Sequence, residues 1–418
     1  MENRRFLIQE FGPFAGMRVL GTGSLIAMPF AASMLAEFGA EVIQIERPGM
    51  GDHFRSFPPV YKNEYGTIGA TWVQDARNRL SMTLELDLHD PDVKDIFMGL
   101  IRESDVYIEN MVWIEKMGIH DRELLEVNPK LVIVHISGFG RKEFGGVPEI
   151  CDRASYDMIG QCFSGFSLYN GFPDLPPLIV KPSLNDYITA LFAVFGVVAA
   201  YTAVQRTGKG QVVDVSQFES QAKIMRDTFT RESMGFERFS RSGSRAEGFQ
   251  PWDLFESKDG IYVGIGAFGV NVFERFVDAV GLDKKRYTHA AVSNGKQTVD
   301  SPLGREFDAK VREWCKAHTA EEIETCMVAA KVPCSRVNDP VMCMTHPQFL
   351  LREDFVRYED QTVKEEFTAF GVYPKMSGTP GRIWRGAPAL GQDTEAVLKE
   401  ILGYDDQAIL KFREKKII

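Results

Sequence analysis

One carboxylate stands out by its position. In "IVKPSLNDYITALFAVFG", Asp186 opens a run, residues 187–204, of eighteen residues without a charge. An acid at the head of an apolar helix has two uses. It can cap the helix by accepting from first-turn N–H groups, a contact worth ~1 kcal/mol. It can also react: the helix dipole favours the ionised carboxylate. Such a carboxylate can attack a thioester carbonyl and form a mixed anhydride, with nearby backbone N–H groups steadying the oxyanion. The residues alone leave both uses open.

Rival chemistries have weaker signatures. The seven histidines are scattered, with no i,i+4 pair and no Cys/His cluster at metal-ligand spacing, so no metal site is expected. "FSGFS" is not the G-x-S-x-G turn of a serine hydrolase. The six cysteines form no C-x-x-C pair, which fits reduced thiols in a cytoplasmic protein. A formal net charge of −10 argues against a general nucleic-acid binder, which needs a basic face.

Two glycine turns raise the question of a dinucleotide. "MRVLGTGSLI" leads an apolar run into Gly21 and Gly23, and "EVIQIERPG" follows with Glu46 placed for a ribose hydroxyl. Ile26 stands where the third glycine would be, and Arg47 beside Glu46 suits phosphate better than a nicotinamide ribose. "GIGAFG" supplies Gly264, Gly266 and Gly269 after a strand, but no second strand ending in an acid follows it. A tight strand-to-helix turn is the plainer reading there.

The elements that must carry these residues alternate. Met17–Leu20, Glu41–Ile45, Asp105–Ile108 and Leu131–Ile136 read as strands, several apolar on both faces, with helical spacing between them. Such βα alternation predicts a parallel sheet covered on both sides, with ligands at the carboxyl ends of its strands. The uncharged run at 187–204 is just long enough to cross a bilayer. Its alanines, and the strand-like "QVVDVSQFE" beyond it, favour a helix buried in the core, and no membrane partner is expected. Composition changes near "TRESMGFERFSRSGSRAEGFQPW", an exposed connection, and "HTAEEIE" offers Thr319 and Glu322 as a capping box. The expected organisation is a large Rossmann-like α/β domain begun by residues 1–228, a linker and smaller α+β domain at 229–335, and a return to the large domain at 336–418.

Several stretches together carry a family resemblance: "GPFAGMRVL", "MLAEFGAEVIQIERPG", "NPKLVIVHISGFG", "ASYDMIGQCFSGFSLYNG", the Asp of "SLNDY", "TGKGQVVDVSQFE" and "IWRGAPALGQDT". From about residue 11 to the C-terminus the chain resembles the class III CoA-transferases, most nearly the branch acting on carnitine and bile acids. The resemblance implies an interlocked homodimer with coenzyme A bound on the Rossmann-like domain as a substrate, not as a tightly held cofactor. An acyl-CoA donor and a carboxylic acid acceptor are implied, with anhydride and aspartyl-CoA thioester intermediates on Asp186. It also matches Ile26, Ala27, Arg47, Asn110, Lys116 and Tyr156 to positions that contact CoA. The loop "ENMVWIEKMG" is two residues shorter than the family's "ENFRPG" form, and Lys116 puts a point charge where that form has a planar Arg fork.

The same fold serves α-methylacyl-CoA racemases, which draw a His from "GHD". Tyr156 of "SYD" stands there, with no histidine near it in the sequence, whereas α-proton exchange needs a base on each face of the carbon. A silent CoA-binding subunit is the other alternative. Tyr169 and Trp252 are candidate walls of an aromatic cage for a trimethylammonium acid.

Overall fold

The computed structural model describes residues 4–236 and 240–418. Apolar runs without alternation become a fully covered parallel sheet. In chain order the strands are β1 (Arg18–Thr22), β2 (Glu41–Glu46), the small pair β3 (Val60–Lys62) and β4 (Thr67–Gly69), β5 (Leu80–Thr83), β6 (Val106–Glu109), β7 (Val132–Ser137) and β8 (Gln211–Ser216). Six of them form one sheet in the order β5-β2-β1-β6-β7-β8, every pair parallel. The α/β reading is therefore correct.

Side chains of this sheet alternate between two cores. Leu20, Ile43, Tyr107 and Ile133 face one, shared with the helix Pro91–Glu103 and with Ile409 and Phe412 near the C-terminus. Val19, Val42, Ile108 and Val134 face the other, shared with the helices Ala27–Glu37 and Leu184–Thr207. Those two helices meet through small residues, among them Ala31, Ala32, Ala190 and Ala193, which let their backbones approach closely.

The expectation for the long helix needs correction. Leu184–Thr207 is long and apolar enough to cross a membrane by length and composition, yet only 33% of its most apolar window is buried within the chain. One face packs on the sheet. The other leaves Leu191 50% and Phe195 70% exposed.

Two compact units make up the chain. The first comprises Met1–Phe166, Ile179–Phe229 and Leu350–Ile418, and its last segment opens with the hairpin β12 (Phe355–Glu359) and β13 (Glu366–Phe370). The second comprises Ser167–Leu178 and Thr230–Phe349. It holds the antiparallel sheet β11-β10-β9, built from Cys334–Arg336, Tyr262–Gly266 and Trp252–Glu256. Its core includes Phe255, Val263, Phe273, Phe276 and Phe307. Thr319 and Glu322 form the expected capping box. Gly264 and Gly266 lie in the central antiparallel strand, and Gly269 opens the helix Val270–Ala279 at φ +82°, so "GIGAFG" is a turn and not a βαβ fingerprint. In the Arg-, Ser- and Gly-rich connection, residues 237–239 lie outside the described residues, as do residues 1–3 at the N-terminus.

Candidate active site

Strand order reverses at β1, which has β2 on one side and β6 on the other. The crevice beyond the carboxyl ends of β1 and β6 is where sheets of this kind bind ligands. Gly23 leaves β1 at φ +129°, and a Cβ there would lie 1.9 Å from Asn110 Oδ1. Only glycine lets the two strand ends meet. Asn110 then locks the loop, accepting from the Ser24 N–H at 3.1 Å and donating to the Ser24 carbonyl at 2.9 Å. Ile26 and Ala27 follow as the start of the helix Ala27–Glu37.

A cleft of about 980 Å³ opens here, entirely within the first unit. Ile26, Ala27, Asn110, Tyr156 and Asp186 all line it. Sequence separations of up to 160 residues collapse into one wall because the helices Asp157–Phe163, Leu184–Thr207 and Gln217–Lys223 pack together at the sheet edge. Tyr156 is 67% exposed on that wall.

Asp186 is not the cap of its helix. Ser183 turns the chain at φ 34° and offers no side-chain cap, and Asp186 is the third helical residue. The cap comes from Asp157, whose Oδ1 accepts from the N–H groups of Asn185 at 2.7 Å and Asp186 at 3.2 Å. Gln161 Nε2 holds the other Asp157 oxygen at 2.7 Å. The Asp186 carboxylate is thereby released from capping. Its Oδ1 accepts from Gln217 Nε2 at 2.5 Å, and Ser155 Oγ donates to Gln217 Oε1 at 2.6 Å. Burial, then the neighbouring Asp157 charge, raise the Asp186 pKa to about 7, against the pull of the Gln217 bond. Desolvation thus works against the ionised form that a helix start would otherwise favour.

Arg47 and Lys116 are not brought to the cleft wall. Arg47 is mostly exposed and pairs with Glu85 at 3.2 Å. The Lys116 ammonium sits 4.6 Å over the ring of Trp113, which does line the cleft. Glu46 is not free for a ribose. It is buried and holds Arg55 through both oxygens at 2.7 and 2.6 Å, with Ser81 Oγ at 2.6 Å and the Asp52 N–H at 2.9 Å. Burial pushes its pKa up, but the Arg55 guanidinium and these donors hold it below the ordinary value. Tyr169 and Trp252 belong to the second unit and line neither its own 710 Å³ cavity nor the cleft.

The cleft residues Ser155, Asp157 and Gln217 lie within the stretches that carry the resemblance but are not singled out there. They are common polar types with nothing distinctive in their spacing. Arg141, Lys142 and Arg153 put cations on the wall, and His53, remote from Tyr156 in the sequence, lines it as well. His135 is different. It is buried between Glu109 Oε1 at 2.6 Å and Asp121 at 3.0 Å. Burial lowers its pKa, but the two carboxylates prevail and raise it to about 9, favouring the charged form beside Glu109. Among the described residues no group of three His, Cys, Asp or Glu is set to hold a metal ion.

The model of CoA-transferase family III matches residues 14–394. The chain belongs to this family. It is 37% identical over 413 residues to a bile acid CoA-transferase, BaiK, of Clostridium scindens, covering 98% of this chain and 90% of that one. A succinyl-CoA–D-citramalate CoA-transferase of Chloroflexus aurantiacus is 30% identical over 414 residues, covering 97% and 98%. Among solved structures, a CAIB/BAIF family protein from Brucella suis superposes with a TM-score of 0.80 at 23% identity, covering 94% of this chain and all of that one. This family III member is an acyl-CoA:carboxylate CoA-transferase, an enzyme class whose substrate is a CoA thioester.

Proposed function

We propose that the enzyme moves coenzyme A from an acyl-CoA to a bile-acid-like or carnitine-like acid through Asp186. The observation that carries this reading is the Asp186 carboxylate standing in one cleft with Ile26, Ala27, Asn110 and Tyr156, at the carboxyl edge of the sheet. Asp186 Oδ2 bonds to the acyl carbon as the C–S bond breaks, and CoA leaves as a thiolate. The thiolate bonds to Asp186 Cγ, and the donor acid departs with the bridging oxygen. The acceptor carboxylate then attacks Cγ of the aspartyl thioester, again expelling thiolate. That thiolate takes the acceptor's acyl carbon and returns Asp186 as a carboxylate.

Exposed Phe57, Trp113 and Tyr156 on the cleft wall suit the apolar body of a bile-acid-like acceptor. A trimethylammonium acid would use the same ring faces by cation–π attraction. A panel of acids against one acyl-CoA separates the two. Arg141, Lys142 and Arg153 are the cations offered to the CoA phosphates, with Asn110 ordering the loop between them and β1. An interlocked homodimer in the cytoplasm completes the proposal.

Incubation with acyl-CoA followed by hydroxylamine is expected to leave a hydroxamate on Asp186, read by peptide mass spectrometry. Asp186→Ala is expected to lower transfer by on the order of 10³-fold or more. Transfer that survives this substitution overturns the reading. His53 in the cleft favours one second reading, a racemase with His53 and Asp186 as opposed bases. Incorporation of deuterium at the α-carbon of a 2-methylacyl-CoA in D₂O, without CoA transfer, would establish it.

A further inference from the structure

We infer that Gln217 is the oxyanion donor for the half of the reaction in which CoA bonds to the enzyme. The inference rests on Asp186 being the nucleophile. When the thiolate attacks Asp186 Cγ, negative charge develops on Oδ1, not on an oxygen of the substrate. Oδ1 is the atom that accepts from Gln217 Nε2. The first step places its charge elsewhere, on the donor's thioester carbonyl oxygen.

The amide is held for this task. Gln217 is the first residue of the helix Gln217–Lys223 and is 7% exposed. Ser155 Oγ donates to its Oε1 at 2.6 Å, which leaves the N–H side of the amide facing Asp186. Gly160 makes room: a Cβ there would lie 3.0 Å from Gln217 Cβ. A donor fixed before charge develops needs no reorganisation during the step, and loss of one such donor costs roughly 10²–10³-fold in rate. Ser155 acts through Gln217 and is a positioning residue.

The balance of the assisted step is simple. The S–Cγ bond forms, Oδ1 carries the charge of the tetrahedral intermediate, and the Cγ–Oδ2 bond breaks as the donor acid leaves with its electron pair. No proton is exchanged with solvent.

An acyl-CoA labelled separately in its acyl and CoA parts, mixed with enzyme and quenched at short times, reads both intermediates. Protein-bound acyl label reports the anhydride, and protein-bound CoA label reports the thioester. Gln217→Met is expected to slow the appearance of CoA label by about 10²-fold, to let acyl label accumulate, and to leave KM for acyl-CoA within about threefold. Ser155→Ala, which keeps the amide but frees it, is expected to shift the same ratio in the same direction by several-fold. Equal slowing of both labels in the two variants, or an unchanged ratio, overturns the assignment. Absence of either label on Asp186 of the wild-type enzyme would instead overturn the nucleophile reading beneath it.

Discussion

Asp186 sits between two opposing influences, and the balance sets a pH dependence. Burial and Asp157 favour the neutral acid, and Gln217 favours the carboxylate. If Asp186 is the nucleophile proposed, only its ionised fraction would attack, so with the pKa near 7 single-turnover acyl transfer is expected to rise with pH through about 7 and level off above it. Stability runs the other way. The folded pKa lies above the unfolded value of 3.8, so the native state binds the proton more tightly and loses stability as pH climbs from that value through about 7. Asp186→Asn removes this cost. Its melting temperature is expected to gain on the wild type between pH 5 and pH 8 in differential scanning calorimetry, and a constant gap would refute the account. The sequence pointed to this residue by its place before an uncharged run and by the family motif. It did not show that Asp157 takes over the capping, because that bond joins residues 29 apart. Arg47 and Lys116 illustrate the same gap, since a charge in a sequence does not show that Glu85 or the Trp113 ring will claim it.

Among the elements, three short helix starts meet where glycine allows it. Gly160 lies inside the helix Asp157–Phe163, where alanine would be favoured by roughly 1 kcal/mol on propensity alone. Sterics decide against it, because the added Cβ would stand 1.9 Å from Asn185 Nδ2 and 3.0 Å from Gln217 Cβ, both buried. Gly160→Ala is therefore expected to lower the melting temperature by several degrees and kcat by at least tenfold, with a smaller change in KM. A variant as stable and active as wild type would show that these helices can part freely. Strands β1, β2, β6 and β7 were legible as mostly apolar runs. The edge strand β5, "LSMT", was not, because four residues with two hydroxyls carry too little pattern. Its place is fixed from afar: Asp393 Oδ2 accepts from the Ser81 N–H at 2.8 Å, and the Thr83 N–H meets Thr394 Oγ1 at 2.9 Å.

For the whole molecule, the long helix is the informative error. Hydropathy reported an apolar rod and could not say whether this chain or another would cover it. Leu191 and Phe195 stay exposed one turn apart, with Ala199 exposed on the turn beyond. In the proposed homodimer a second copy covers this stripe. Light scattering is expected to give twice the chain mass for wild type and the single-chain mass for Phe195→Asp, and a monomeric wild type would remove the pairing. Asp186 begins the same rod, about 13 Å from Phe195 at 1.5 Å per residue. On the proposed function, reactivity and self-association would thus be mounted on one lever. Dilution that frees one end should detune the other, and specific activity becomes a gauge of how many chains have found a mate.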